Sequence, residues 1–242
     1  MNTTKLTSLQ YSYITAMLTS AGLFILMSMY VPIPLTKDFM LYFSITETEA
    51  LWIGSAFSLC YGICCLIYGP FSDYYGRNLF LLFGIGFLTI VTILSGFVDH
   101  YPTFIFLRIL QAIGAAAFVP ISLVYTAELF PDDRRLTAIG FITSGFLVAS
   151  VVSQIFATII NEYFGWHAIF ILLGTIYFFL TIASISYLPK ITNVKHEKSI
   201  FSQFSKIRLL FHKKELLFSF SITFLLLFSL MGCIQYLGNY YL

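Results

Sequence analysis

Long runs of apolar residues recur along the chain, and they limit what it can fold into more than any other feature. The run from Leu79 to Val98 contains no charged side chain. A bilayer core about 30 Å thick is crossed by roughly 20 apolar residues of α-helix, which rises about 1.5 Å per residue. The same test predicts seven transmembrane helices, near residues 11–35, 50–71, 79–98, 103–127, 136–160, 167–188 and 216–242.

Composition excludes a soluble domain. Charged residues make up 10% of the chain and hydrophobic residues 59%, with a mean hydropathy of +0.88. A soluble domain carries roughly a quarter of its residues as charged side chains. Strands of a membrane β-barrel alternate polar and apolar residues over about 10 positions, and these uniform runs do not. The predicted fold class is therefore all-α, a polytopic membrane protein.

No set of residues predicts catalysis or a bound cofactor. The sequence shows no nucleophile–base set, metal cluster or phosphate loop, so we predict neither an enzyme nor a cofactor. The net charge of +2 is too small to indicate a nucleic acid partner. We interpret the cysteines as small apolar packing groups, because all of them lie inside apolar runs without metal-ligand spacing to His: Cys60, Cys64, Cys65 and Cys233.

Basic residues between the helices predict the orientation. If the N terminus is cytoplasmic, eleven Lys and Arg residues fall on the cytoplasmic side and only Lys37 falls outside. Basic loops stay in the cytoplasm, so we predict a multi-pass protein of the plasma (cytoplasmic) membrane with its N terminus inside. A rhodopsin-type receptor has its N terminus outside. A retinal protein needs a lysine in its last helix, and 216–242 has none.

A sequence repeat indicates two inverted halves within the first six helices. The heptapeptides at 72–78 and 161–167 both read polar, acid, Tyr, aromatic, Gly, and they lie 89 residues apart. Upstream, Trp52-Ile53-Gly54 and Ala138-Ile139-Gly140 are spaced almost equally. Three predicted helices separate the copies, so one copy lies on each side of the membrane. Inverted repeats of three plus three helices are typical of transporters.

The repeat, the basic stretch that follows it and the last apolar run divide the chain into three segments. We predict a six-helix bundle at 1–188, a basic cytoplasmic linker at 189–215, and a seventh helix at 216–242 that begins a second bundle. The linker carries seven basic residues. Either an amphipathic stretch at 200–212 lies on anionic lipid, or the linker is an ordinary basic loop.

The turn between helices 2 and 3 carries the most specific motif, Gly-Pro-Phe-Ser-Asp-Tyr-Tyr-Gly-Arg-Asn at 69–78. It resembles the loop 2–3 signature of the major facilitator superfamily, Gly-x-x-Ser/Asp-Asp-x-x-Gly-Arg-Arg/Lys. The matching residues are Gly69, Asp73, Gly76 and Arg77, whereas Asn78 replaces a basic residue. The resemblance implies a latch between the two halves of a transporter. The residues alone predict a tight turn in which Asp73 caps the next helix.

Arg108 and Gln111 lie one turn apart in helix 4. They resemble the family's Arg-x-x-Gln-Gly motif, which implies proton-coupled transport, although Ala112 replaces the Gly. An arginine inside the membrane costs at least about 2.5–3.5 kcal/mol, so it should face a partner or a watery cavity. The alternative is that Arg108, near the outer end, extends its head to water.

Helix 5 departs from the family's drug antiporters, because their Gly-Pro and Gly-Gly pairs are replaced by Ser153-Gln154 and Ala157-Thr158. Gln154 is predicted either to bind substrate or to bridge to a neighbouring helix. At the cytoplasmic rim, we expect Glu128 to pair with Arg134 or Arg135.

The resemblance implies secondary active transport of a small organic solute, with proton-coupled drug efflux as the first expectation. Uptake of a sugar or metabolite is one alternative, and a non-transporting membrane bundle is another. The helix interiors contain almost no carboxylate, which argues against strong proton coupling. The expected partners are the lipid bilayer, the solute, protons, and a second six-helix half or partner chain.

Transporters of this family have two bundles, and this chain stops soon after one. We therefore expect a truncated form, a fragment or a half that needs a partner. An open reading frame for five more helices beyond the codon for Leu242 would settle whether half a transporter is missing. Full, saturable solute transport by the chain reconstituted alone as a monomer would contradict this expectation.

Overall fold

A computed structural model describes residues 6–189 and 214–241, and every regular element in these two ranges is an α-helix. The first range holds α1 (Ser8–Tyr30), α2 (Thr36–Phe43), α3 (Glu47–Tyr75), α4 (Arg77–Ser95), α5 (Tyr101–Ala116), α6 (Val119–Leu129), α7 (Asp132–Phe164) and α8 (Trp166–Tyr187). The second range is α9 (Lys214–Tyr241). In the described part, six helices are long and apolar enough to cross a membrane: α1, α3, α4, α5 with α6, α7 and α8. The prediction of an all-α polytopic membrane protein is confirmed.

The chain divides into two compact units, residues 1–192 and 193–242. In the second unit, the apolar stretch that can be assessed, Leu216–Leu226, is shorter than a membrane span. The seventh transmembrane helix and the three-segment division therefore remain predictions. The amphipathic stretch at 200–212 lies outside the described residues.

Prolines shape two helices differently from the prediction. The first helix ends at Tyr30 instead of residue 35, and turns containing Pro32 and Pro34 lead into α2, a short helix that the sequence did not predict. The predicted helix 103–127 is broken between α5 and α6. Pro120 has no N–H and its ring clashes with the carbonyl four residues earlier, at Ala116, where α5 ends.

Two glycines mark the sequence repeat in the backbone. Gly76 alone separates α3 from α4, and Gly165 alone separates α7 from α8. Their φ angles are 104° and 77°, a region that side chains disfavour. Each donates its N–H, at 3.0 Å, to the carbonyl four residues earlier, in Ser72 and Asn161. Three membrane-length helices lie between the two junctions, so they sit at opposite ends of the bundle.

The helix contacts follow the same symmetry. The first helix of one repeat packs on the second helix of the other, as α1 on α7 and α3 on α5, and the two third helices, α4 and α8, pack together. Small residues permit these close contacts. A Cβ atom on Gly145 of α7 would lie 2.9 Å from the Thr19 carbonyl oxygen of α1. A Cβ atom on Gly84 of α4 would lie 2.9 Å from the carbonyl oxygen of Gly114 in α5.

We expect Gly145→Ala to lower stability by about 1–3 kcal/mol, because a backbone carbonyl cannot move aside as a flexible side chain does. Gly140→Ala is the matched control in the same helix, since a Cβ atom there meets nothing within 4 Å. Thermal unfolding in detergent measures both. Each kcal/mol lost from the free energy of unfolding lowers the melting temperature by about 2–4 °C for a domain of this size. Equal melting temperatures for the two variants would contradict the close α1–α7 contact.

Candidate functional site

Arg108 lies two turns into α5 with its side chain completely buried. Its guanidinium makes three hydrogen bonds, one to each of three helices. Nη2 donates to the Ser28 carbonyl of α1 at 2.8 Å, Nε to the Ile53 carbonyl of α3 at 3.3 Å, and Nη1 to Oε1 of Gln111 at 2.6 Å. Arg108 therefore joins α1 and α3 to α5, and its head does not extend to water.

Pro32 explains why one of these acceptors is available. In an uninterrupted helix the Ser28 carbonyl would accept from the N–H of residue 32, but proline has no N–H. A carbonyl freed inside a membrane bundle must be satisfied by a neighbouring helix. Arg108 supplies that hydrogen bond. Pro32 therefore leaves the Ser28 carbonyl free to accept from the arginine of α5.

The hydrogen-bond network extends to α4 and α8. Nε2 of Gln111 donates to the Ser95 hydroxyl at 2.9 Å. The Tyr177 hydroxyl donates to the Phe24 carbonyl at 2.8 Å, so the Ser28 hydroxyl, 2.7 Å away, donates to Tyr177. The side chains of Gln111, Ser95 and Tyr177 are completely buried. One connected polar network therefore links five helices.

No carboxylate among residues 6–189 forms an ion pair with Arg108. Two backbone carbonyls, one amide oxygen and the face of the Phe57 ring, whose centroid lies 4.4 Å from the guanidinium carbon, surround the charge. Carbonyl dipoles and an aromatic face stabilise a cation without cancelling its charge. Arg108 therefore places a net positive charge inside the bundle.

A second cluster of charges lies where α3 meets α4, at the end of the bundle where α1 begins, here called the near end. Arg77 Nη2 contacts Asp73 Oδ1 at 2.9 Å and Glu128 Oε1 at 2.7 Å. The side chain of Arg77 is only 13% exposed, while that of Glu128 is 40% exposed. This Arg77 cluster connects the end of α3 and the start of α4 to the end of α6.

Glu128 has a different partner from the predicted one. It was expected to pair with Arg134 or Arg135, but it pairs with the arginine of the α3–α4 junction. Arg134 instead contacts Asp133 at 3.7 Å, and Arg135 contacts Asp132 at 2.9 Å. The acids in the first turn of α7 are closer to these arginines along the chain. Glu128, at the end of α6, meets Arg77 where α6 also contacts α3 and α4.

The turn between the second and third predicted membrane helices, which are α3 and α4 in the structure, is also shorter than expected. Gly69 and Asp73 lie inside α3, which continues to Tyr75, so only Gly76 lies between the helices. Asp73 does not cap α4; it pairs with an arginine one turn later. Gly76 is the N-cap residue of α4 and provides no side-chain hydrogen bond.

Gln154 is not part of the Arg108 network. It is half-buried, and its Nε2 donates at 3.1 Å to the Ser150 carbonyl one turn earlier in α7. No hydrogen bond from Gln154 to another helix is found within the described residues. The alternative of a bridge to a neighbouring helix is therefore not supported.

A groove of about 620 Å³ lies between α1 and α7 at the near end, and the sequence prediction missed it. Its walls combine the rings of Tyr11, Phe130 and Phe141 with the charged side chains of Asp133 and Arg134 and with hydroxyl groups. Those hydroxyls belong to Ser12, Thr15, Thr19, Ser20 and Thr137. The Thr19 hydroxyl is buried without a hydrogen-bond partner. Serine and threonine at one-turn spacing along α1 were the available sequence signal.

At the end of the bundle opposite the near end, the aromatic rings of α2 pack on α5 and α8. The centroid of the Phe39 ring lies 5.5 Å from that of Phe104 and 5.3 Å from that of Trp166. The Tyr42 hydroxyl donates to Asp99 Oδ1 at 2.6 Å. That hydrogen bond to a carboxylate raises the pKa of Tyr42, because it stabilises the protonated phenol. These contacts fix α2 over the loop between α4 and α5.

Comparison with known families and relatives gives consistent results. The family model of the Major Facilitator Superfamily matches residues 13–242. Multidrug resistance protein 3 of Bacillus subtilis (strain 168) is 32% identical over 119 residues, 49% of this chain and 23% of that protein. Riboflavin transporter RibZ of Clostridioides difficile (strain 630) is 30% identical over 151 residues, 61% of this chain and 32% of that protein.

A solved structure shows the same fold. A bacterial homolog of the human lysosomal transporter Spinster, in an inward-facing and unoccupied conformation, superposes with a TM-score of 0.68 at 18% identity. The match covers 78% of this chain and 45% of that one. The chain thus spans less than half the length of each of these three proteins.

We expect a double-mutant cycle of Arg77→Gln and Glu128→Gln to give a coupling energy of about 1 kcal/mol, the upper end for pairs at a surface, because Arg77 is largely buried. The exposed pair Arg134 and Asp133, at 3.7 Å, is the matched control and should give a coupling near zero. Thermal or denaturant unfolding measures both cycles. Equal coupling energies would contradict a specific connection between the start of α4 and the end of α6 through Arg77 and Glu128.

Proposed function

Because the chain belongs to the major facilitator superfamily, we propose that it forms one half of a secondary active transporter that moves a small organic solute by alternating access. It is a membrane transport protein and not an enzyme. The relatives are more than twice as long as the matched part, which supports a second six-helix half or a partner chain. The protein would lie in the plasma membrane, with its near end facing the cytoplasm.

The observation that carries the proposal is the buried Arg108 network. Ionisable residues inside membrane bundles are costly, and they mark substrate or ion pathways. Arg108 and Gln111 would couple solute binding to helix movement, because a ligand that competes for their donors also breaks the contacts among five helices. Gln154 would contribute to solute binding through its amide oxygen.

The Arg77 cluster would act as the latch at the cytoplasmic end. Partly exposed ion pairs contribute about 1 kcal/mol or less, so they open and close easily. The motif residues Gly69, Asp73, Gly76 and Arg77, with Glu128, would hold α3 and α6 together in one state and release them in the other. Arg134 and Arg135 would remain in their local pairs at the rim.

Drug-like compounds are the first solute class that we propose. The resemblance to Multidrug resistance protein 3 supports this class, and so does a groove that combines aromatic rings with hydroxyl groups. The resemblance to a riboflavin transporter favours uptake of a metabolite as the second candidate. Among the described residues the buried polar side chains include no carboxylate, and the proposal therefore names no residue as the proton carrier.

The test measures solute flux in proteoliposomes that contain the protein with its second half. Ethidium is the probe for drug efflux, and radiolabelled riboflavin is the probe for metabolite uptake. We expect Arg108→Ala to reduce the flux of the transported probe at least about tenfold. A tenfold change in rate corresponds to roughly 1.4 kcal/mol in the free-energy barrier to transport. Lys37→Ala, an exposed cation of α2, is the control and should transport normally.

Two outcomes would overturn parts of the proposal. Unchanged flux and unchanged proton dependence in Arg108→Ala would remove the assignment of the arginine. Absence of flux for both probes and for a wider solute panel in the folded unsubstituted protein would favour a bundle that does not transport. Size-exclusion chromatography and thermal melting show that each variant is folded.

A further inference from the structure

Three cysteines lie within six residues of α3, and two of them bring their sulfur atoms together. Cys60 Sγ lies 3.9 Å from Cys64 Sγ, one helical turn away. Cys60 Sγ is also 3.7 Å from the Ile109 carbonyl oxygen, so this pair lies where α3 meets α5. Both side chains are half-buried, and neither forms a disulfide. Nothing in the proposed transport mechanism uses this pair.

Helix geometry argues against a disulfide between these two thiols. Residues four apart on a helix have Cβ atoms about 5–6 Å apart. A disulfide requires a Cβ–Cβ distance of about 3.5–4.5 Å. Closing a bond between Cys60 and Cys64 would therefore distort α3. A ligand atom inserted between the sulfurs removes this conflict, because the bridge becomes longer.

A metal ion bound linearly by two thiolates fits the observed spacing better. With metal–sulfur bonds of about 2.3 Å, the length known for zinc, the two sulfurs lie about 4.6 Å apart. The observed distance of 3.9 Å is about 0.7 Å shorter than that value. We expect rotations of the two side chains to supply the difference without movement of a helix.

The donor set selects the kind of ion. Within the described residues there is no group of three or more His, Cys, Asp or Glu side chains that could hold a metal, so the four ligands of a structural zinc site are not available. Thiolates bind soft ions. Two thiolates neutralise a divalent ion, and a neutral complex avoids the cost of a charge in a low-dielectric bundle. A monovalent ion would leave one negative charge.

We propose that Cys60 and Cys64 form a two-thiolate site for a soft divalent cation that binds linearly, with Hg(II) as the probe. Both S–H bonds break, two metal–sulfur bonds form, and two protons leave for each ion bound. When the ion is supplied as HgCl2, the two mercury–chloride bonds also break and two chloride ions leave. No atom is oxidised or reduced. The proposal does not depend on transport, so its failure would leave the proposed function unaffected.

The experiment is a titration of the full chain in detergent with HgCl2, in a Cys233→Ser background that removes the remaining thiol of α9. Ultraviolet absorption of the mercury–thiolate bond gives the stoichiometry, and proton release in weak buffer gives the number of thiols used. Competition with glutathione, a monothiol, gives the affinity. We expect one ion and two protons per chain.

The three cysteines of α3 provide the matched variants. Cys60→Ser and Cys64→Ser should each weaken binding at least about 100-fold, because substitutions in the outer shell of metal sites already cost about 10–100-fold. Cys65→Ser should leave the affinity unchanged, since Cys65 Sγ instead contacts the Ala116 carbonyl oxygen at 3.7 Å. All three variants should melt like the parent protein in the absence of metal.

Three results would overturn the proposal. The first is release of one proton per ion, which indicates binding by a single thiol. The second is an equal loss of affinity in Cys65→Ser and Cys64→Ser, which indicates a site without the predicted pair. The third is retention of tight binding when both Cys60 and Cys64 are replaced by Ser.

Discussion

The hydrogen bond from Arg108 to the Ser28 carbonyl satisfies two groups that the membrane would otherwise penalise. Pro32 removes the backbone donor that this carbonyl would have used, and the guanidinium of Arg108 has no carboxylate partner among residues 6–189. In hydrocarbon an unpaired carbonyl and an unsolvated cation are both costly, and each group here stabilises the other. The end of α1, the start of α3, and α5 are held together around this contact.

Beyond this contact, the fold also depends on close packing of helix backbones. Lipid tails are as apolar as leucine, so burying leucine provides little force between helices in a bilayer. Glycine contacts such as Gly145 against Thr19 bring α1 and α7 close enough for dispersion forces and carbonyl contacts to act. The repeated glycine junctions at Gly76 and Gly165 then impose the same turn on both halves of the bundle.

The two clusters of charge differ in burial, and that difference suits different roles. Arg108 is fully enclosed and connected to five helices, so any change there involves the whole bundle. The Arg77 cluster is partly exposed at the near end and involves only the ends of α3, α4 and α6. A weak, exposed contact switches at small energetic cost, whereas a buried network transmits the change.

The sequence by itself determined the first six membrane spans, the inverted repeat and the positions of Arg108 and Gln111, because these depend on hydropathy, local spacing and the cost of a charge in lipid. Only the tertiary structure decided that Arg108 is that donor, that Glu128 pairs with Arg77, and that two thiols of α3 meet near α5. Such contacts depend on how helices distant in sequence are rotated and spaced relative to one another. The local pattern of a single sequence carries no information about that rotation or spacing.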